Sequence, residues 1–152
     1  MRIRPATPAD AETIAGFNAA MARETENLEL DPARVLAGVR ALVADPNKGF
    51  YLLAELDGRI AGQTMVTFEW SDWRNACFWW IQSVYVEPAV RGRGVFRALY
   101  RHLAERVERD PELCGLRLYV ERHNDRARRT YEKLGMRPAA YEMYEVDLVF
   151  GR

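Results

Sequence analysis

Two glycines set among arginines, Arg91-Gly92-Arg93-Gly94-Val95-Phe96-Arg97, are the residues of this chain whose types and spacing point most directly to chemistry. Glycine lets the backbone take left-handed φ values and lets another group approach the main chain closely. The apolar run Val84-Tyr85-Val86 precedes Pro88, and helix-forming sequence follows Gly94. A strand that turns through such glycines into a helix leaves the first helical amides without intrahelical partners, pointing outward. Those amides, a macrodipole contribution of about 0.3–1 kcal/mol per favourable charge, and the guanidiniums of Arg91, Arg93 and Arg97 suit an anion, above all a diphosphate. The run departs from G-x-G-x-x-G at Arg97, and no Gly-Lys-Ser/Thr follows as a triphosphate loop requires. Taken alone it is equally a tight turn that starts a helix well.

A second segment carries a candidate proton donor. Asn124-Asp125-Arg126-Ala127-Arg128-Arg129-Thr130-Tyr131-Glu132-Lys133-Leu134-Gly135 reads as an Asn cap, a helix and a glycine stop. Ala127, Tyr131 and Leu134 fall on one stripe, which sets a phenol among apolar neighbours. Such a tyrosine is either an ordinary amphipathic core residue or a group held for use.

Together the two segments resemble the GNAT superfamily of N-acetyltransferases, over nearly the whole chain. The family pattern Arg/Gln-x-x-Gly-x-Gly/Ala is matched at Arg91 to Phe96, with Phe96 where the family usually has Gly or Ala. A second family pattern, Asn-x-x-Ala-x-x-x-Tyr-x-x-x-Gly, is matched at Asn124, Ala127, Tyr131 and Gly135. The resemblance implies a mixed α/β sheet, splayed at its centre, of six to seven strands with about four helices. It implies acetyl-CoA as cosubstrate and a primary amine, small molecule or peptide, as acceptor. It further implies that main-chain groups of Val84, Tyr85 and Val86 face the pantetheine and acetyl carbonyl, that residues Arg91 to Arg97 face the diphosphate, and that Asn124 holds the pantetheine arm or a water. Arg122, Arg126, Arg128, Arg129, Lys133 and Arg137 form either a solvated helix face or a contact for the 3′-phosphate of CoA.

That chemistry makes three demands. An amide aimed at the carbonyl oxygen, where negative charge grows, is worth roughly 2.7–4 kcal/mol in comparable sites. An alkyl amine of pKa ~10.4 is almost wholly protonated at pH 7, a penalty of roughly 4–5 kcal/mol, so a base must take its proton. The leaving thiolate needs a donor, and by the motif Tyr131 is that general acid. The strand positions where related proteins often carry a glutamate are Gln82 and Tyr119 here, and neither is a base at neutral pH. Glu69 is the remaining candidate base, with a solvated hairpin carboxylate as its plain alternative; His123 is weaker, and His102, on a helix, packs or meets solvent. Trp70 and Trp73 flank a loop where, with Asp72, they can wall an acceptor pocket or a subunit contact.

Composition sets the frame. A chain of 152 residues, about half of them hydrophobic, suits one domain over residues 1–152. Equal counts of 22 basic and 22 acidic residues give no global field for nucleic acid or an anionic membrane. Cys77 and Cys114 form neither a metal motif nor a disulfide framework and read as buried thiols; no metal site is expected. The N-terminus lacks a signal-peptide core and no apolar run approaches the ~20 residues of a membrane span, so a cytoplasmic location is expected.

The positioning elements follow from local signals. Residues 2–4 open as a strand; Thr7-Pro8-Ala9-Asp10 starts a helix to about Glu24 with Ile14, Phe17 and Met21 inward. Asp31-Pro32 starts a second helix ending before Asp45. Strands at Phe50 to Leu56 and Arg59 to Trp70 join at Asp57-Gly58, and Ala76 to Glu87 pairs next. A helix from Gly94 to Glu108, with Phe96, Leu99, Leu103 and Val107 inward, leads to a parallel strand at Leu116 to Glu121. Ala140 to Phe150 alternates as a final strand that can pair across a homodimer. Besides an acetyltransferase, the residues suit a non-catalytic acyl-CoA-binding module on the same fold, or, less well, a nucleic-acid binder using the arginine turn.

Overall fold

The computed structural model describes residues 1–150, which divide into two compact units, Met1–Tyr119 and the residues from Val120 onward. The first holds β1 (Arg2–Pro5), α1 (Ala11–Glu26), α2 (Pro32–Ala44), β2 (Phe50–Leu56), β3 (Arg59–Ser71), β4 (Ala76–Val86), α3 (Val95–Arg109) and β5 (Leu113–Arg117). The second holds α4 (Asp125–Lys133).

Among the described residues the sheet has five strands in sequence order, β1-β2-β3-β4-β5, rather than six to seven. The first four are antiparallel neighbours, and β5 lies parallel to β4 after the α3 crossover. Residues 140–150 form no strand: they are irregular and mostly exposed, although their apolar residues alternate. A period of two marks a segment fit for a sheet, but only a partner edge turns it into one. The fifth strand is also displaced from the Leu116 to Glu121 expected, because its register is fixed by β4, from Cys77↔Leu113 to Trp80↔Arg117. Cys77 and Cys114 are free and half-buried rather than fully enclosed.

Adjacent residues of β2 show how the sheet divides its faces. Leu52 and Ala54 join a core with Val66, Trp79, Ile81 and the α3 residues Val95, Leu99 and Leu103. Tyr51 and Leu53 point the other way, to Ala11 and Ile14 of α1 and Val39 of α2. Each fully buried aliphatic side chain contributes about 1.5–3 kcal/mol. The inward stripe of α3 begins at Val95, which is buried, whereas Phe96 is half-buried with its ring 6.3 Å from that of Tyr100. The helix is rotated so that Val95, Leu99 and Leu103 form the buried i, i+4, i+8 stripe, which leaves Phe96 at its margin.

Local signals set the entries and exits. Asp57 and Gly58 take φ of 52° and 76°, the paired left-handed values of a two-residue hairpin. The Asp31 carboxylate caps α2 by accepting from the Ala33 amide at 2.9 Å. Ahead of α1, Asp10 accepts from the Thr7 amide at 2.7 Å and from the Arg4 guanidinium at 2.8 Å through each oxygen, while Arg4 Nε donates to Glu55 at 2.6 Å. Arg4 therefore ties β1 to the α1 entry and to β2, and holds the Asp10 carboxyl far below the usual carboxylate range.

In the second unit, Asn124 Oδ1 accepts from the Ala127 amide at 3.1 Å and starts α4. Gly135, at φ +89°, stops it, with the Gly135 amide on the Glu132 carbonyl at 3.0 Å. Ala127, Tyr131 and Leu134 are the half-buried stripe. Among the described residues no helix is long and apolar enough to cross a membrane.

Candidate active site

β4 is the strand that builds the site. Its pairing with β3 runs in register from Ala76 to Gln82, then slips between Gln63 and Met65, so that Ser83 and Val84 together face Thr64. Ser83 takes φ +47°, a left-handed value rare for a side-chain-bearing residue. This is a β-bulge, and it turns local main-chain groups out of the ladder. On the other side, pairing with β5 ends at Trp80↔Arg117 while β4 continues to Val86. Beyond Trp80 the β5 side of β4 therefore has no strand partner among the described residues, and this stretch holds the bulge and Val84, Tyr85 and Val86. Of these, Tyr85 is buried and points toward α1, its ring centroid 5.0 Å from that of Phe17; Val84 and Val86 pack on the α3 side.

A polar network fixes the bulge from beneath. Gln63 is wholly buried, and its Nε2 donates to Asn18 Oδ1 at 2.8 Å and to the Ser83 carbonyl at 3.3 Å. Asn18 Nδ2 in turn donates to the Tyr51 hydroxyl at 3.1 Å. Burial pushes the Tyr51 phenol up, against hydrogen bonds from Asn18 and Ser83. Gln63 Oε1 is left without a protein partner among the described residues.

Immediately after β4 comes the glycine turn. Gly92 and Gly94 take φ of 85° and 83°, and a Cβ on either would meet no heavy atom within 4 Å. Backbone conformation, not packing, is therefore what requires glycine here, and the space over the turn is open. The first helical bond of α3 runs from the Ala98 amide to the Gly94 carbonyl at 3.0 Å, so the amides ahead of it lie outside the helical ladder. Gly94 has no side chain to cap them. That donor cradle suits a diphosphate. Gly62 brings β3 close: a Cβ there would stand 2.7 Å from the Tyr85 carbonyl oxygen and 2.9 Å from Val95 Cγ1.

The three arginines of the turn divide. Arg91 is committed inward: Nε donates to the Val86 carbonyl at 2.9 Å and Nη2 to Glu24 Oε2 at 2.6 Å. Arg93 is half-exposed, with only a loose 3.9 Å approach to Asp57, and Arg97 is exposed. The Tyr85 hydroxyl donates to Glu24 Oε1 at 3.1 Å; burial first, then that bond, pushes its phenol up.

Toward the start of β4, a polar row runs down the face shared with α1. Gln82 Nε2 donates to Thr67 Oγ1, Trp80 Nε1 to Glu69 Oε2, and Arg117 Nη1 to Glu69 Oε1 at 2.6 Å. The Arg117 guanidinium also covers the Phe78 ring at 3.7 Å. Glu69 is thus a half-exposed carboxylate held by two partners and joined through Trp80 to the strand that carries the bulge. Trp70 and Trp73 are 62% and 86% exposed and lie at the far hairpin end of β3 and β4. Trp70 lines a groove of about 510 Å³ with Phe68, Cys77, Trp79, Asp110 and Glu112. Asp72 accepts from the Trp73 amide at 2.9 Å, which shapes the hairpin loop.

Tyr131 and Asn124 belong to the second unit. Burial pushes the Tyr131 phenol up, which keeps it a proton donor through neutral pH. The Asn124 carbonyl oxygen is used in capping α4. Sequence reasoning missed Glu24, Asn18, Gln63 and the Ser83 bulge. The polar pair Gln82-Ser83 inside an otherwise apolar strand was the available sign of that bulge.

Residues 14–136 match the family model described as acetyltransferase (GNAT) family. A mycothiol acetyltransferase of Mycolicibacterium vanbaalenii is 29% identical over 145 residues, covering 93% of this chain and 45% of that protein. The chain thus spans less than half the length of the curated relatives it matches first. The crystal structure of a possible acetyltransferase from Clostridium difficile 630 is 43% identical, with TM-score 0.91 and 97% of each chain covered. A predicted acetyltransferase from Clostridium acetobutylicum, solved with acetyl-CoA, shares the fold at TM-score 0.76 and 18% identity over 97% of this chain and 96% of that one. With the family model spanning most of its length, the chain belongs to the GNAT family of acetyltransferases.

Proposed function

We propose that the protein transfers the acetyl group of acetyl-CoA to a primary amine, of a small molecule or a peptide, by direct attack in a ternary complex. The observation that carries this reading is the continuity of β4: a bulge at Ser83 on the stretch that pairs with β3 but has no β5 partner, leading into the open glycine turn and the unladdered amides of α3. Acetyl-CoA supplies a thioester whose acyl carbon is open to an amine. Main-chain groups of Val84, Tyr85 and Val86 hold its pantetheine arm and acyl oxygen, where a fixed N–H is worth roughly 3 kcal/mol. Backbone amides of Gly92, Gly94, Val95 and Phe96 face the diphosphate, the Arg93 amide being spent on the Val90 carbonyl at 3.2 Å, and the Arg93 and Arg97 side chains add charge.

Glu69 is the base in this reading. A proton leaving the amine reaches the Glu69 carboxylate through water, while Trp80 and Arg117 hold that carboxylate in place. Tyr131 gives a proton to the departing sulfur. Its assignment rests on the Asn-x-x-Ala-x-x-x-Tyr spacing and on a phenol that burial keeps protonated. Asn124 orients the cofactor through its remaining amide hydrogens.

The test is thiol release from acetyl-CoA against a panel of amines, amino acids, polyamines and peptides. At least one acceptor should release thiol well above the acceptor-free rate, and Tyr131→Phe should lower kcat by about 10²-fold with acetyl-CoA binding retained. No release above background with any acceptor, or full activity in Tyr131→Phe, would refute the respective assignment.

A further inference from the structure

Of the three arginines at the turn, one has a job that its sequence position does not suggest. Arg91 makes three contacts within the fold: to the Val86 carbonyl at 2.9 Å, to Glu24 of α1 at 2.6 Å, and over the Tyr85 ring at 5.5 Å. Glu24 uses its other oxygen to accept from the Tyr85 hydroxyl at 3.1 Å. The Tyr85 ring in turn rests 5.0 Å from Phe17, also on α1. Carboxylate, phenol and guanidinium close a triangle between the last turn of α1, the end of β4 and the start of the glycine turn. Arg93 and Arg97, by contrast, stand in solvent with no close ion pair among the described residues.

We propose that Arg91 is a positioning residue, a staple that with Glu24 and Tyr85 locks the end of α1 to β4 and the turn, while Arg93 and Arg97 supply the charge that meets the diphosphate. The physical reason is competition. A guanidinium that donates Nε to a carbonyl and Nη2 to a carboxylate has its orientation committed although three of its five N–H groups remain, and turning to an incoming phosphate would leave Glu24 and the Val86 carbonyl to be resolvated. Its fixed place instead sets the Val86 carbonyl, the last main-chain group of β4 before the turn. It also links the cofactor turn to α1, whose end at Glu26 leads into the connection to α2. The staple therefore couples the cofactor end of the site to the helix pair on the other face. This inference rests on the acetyl-CoA reading for its ligand, but not for its geometry.

The experiment uses Glu24→Ala, Arg91→Ala, the double variant, Arg91→Lys, and Arg93→Ala as a contrast. In urea denaturation of the protein without ligand, each staple variant should lower the midpoint, and the double variant should fall no further than the worse single one. With acetyl-CoA and with S-acetylpantetheine, which has no diphosphate, Glu24→Ala and Arg91→Ala should each lower kcat/KM by the same factor, about threefold to tenfold, on both thioesters. Arg91→Lys should not restore it, since an ammonium cannot make both bonds. Arg93→Ala should weaken acetyl-CoA alone. The proposal is overturned if the stability effects of Glu24→Ala and Arg91→Ala are additive. It is equally overturned if Arg91→Ala weakens acetyl-CoA while sparing S-acetylpantetheine and Glu24→Ala leaves both unchanged, which is the behaviour of a diphosphate ligand. If the wild type uses neither thioester, the acetyl-CoA reading fails, and the denaturation cycle still decides the staple.

Discussion

Gly62→Ala adds a single methyl at the point where β3, β4 and the first residue of α3 meet. The new Cβ would stand 2.7 Å from the Tyr85 carbonyl oxygen, 2.9 Å from Val95 Cγ1 and 3.4 Å from Val86 Cα. The valine methyl can swing aside, but the carbonyl belongs to a paired strand and must shift by roughly 0.7 Å to reach ordinary contact. Overpacking of this kind costs about 1–3 kcal/mol. Against it stands the gain of about 0.4–1 kcal/mol from a stiffer unfolded chain, since Gly62 does not use a left-handed φ. The net expectation is a loss of about 1–2 kcal/mol, a fall in Tm of about 2–8 °C for a chain of this size. The strain falls on the Tyr85 carbonyl and on Val95, so the end of β4 that extends past β5 and the amides opening α3 move apart. Protection by acetyl-CoA in thermal melts should shrink in the variant more than its lower Tm alone requires. Gly92→Ala is the control. Its Cβ meets nothing within 4 Å, so it carries the cost of a left-handed φ, about 1–2 kcal/mol, without a clash. A Gly62→Ala protein that melts at or above the wild-type temperature, with full ligand protection, would refute the reasoning.

Asp10→Asn should cost about 2–3 kcal/mol at pH 7, because Arg4 loses a two-pronged ionic partner at the entry to α1. Since Arg4 holds the folded carboxyl below its unfolded value near 4, this stability is present above about pH 4 and fades as pH falls through the folded value. Urea midpoints from pH 7 to pH 3 should therefore drop less steeply in Asp10→Asn than in wild type, and parallel curves would count against it. Leu99→Ala, at a fully buried position of α3 beneath the sheet, should cost about 2–5 kcal/mol by chemical denaturation. A loss under 1 kcal/mol would mean that α3 closes the gap.

Short-range chemistry was readable from the chain. The paired left-handed turn at Asp57-Gly58, the Asp31 and Asn124 caps, and the glycines of the turn depend on residues a few positions apart, where backbone sterics and capping act without the rest of the fold. The strand-turn-helix order around Gly92 and Gly94, and with it the family, was legible for the same reason. The phase of α3 was not. Whether Val95 or Phe96 faces the core depends on how the helix is rotated against the sheet, and it is Val95 that lies against Gly62 of β3. The place of β5, and the absence of a strand at residues 140–150, depend on which edge is offered for pairing.

Among the site residues the same division holds. Sequence by itself determined the glycine turn that opens α3 and the spacing that nominates Tyr131, because each is written within one segment. Tertiary structure alone decided that Glu69 is held between Arg117 and Trp80, that Gln63 braces the Ser83 carbonyl, and that Glu24 draws Arg91 out of the turn's free charge. Those partners are 48, 11, 20 and 67 residues apart in the chain. No local pattern specifies such pairs, since an ion pair or a hydrogen bond has no period in sequence and depends only on which surfaces the packed sheet and helices bring within about 3 Å.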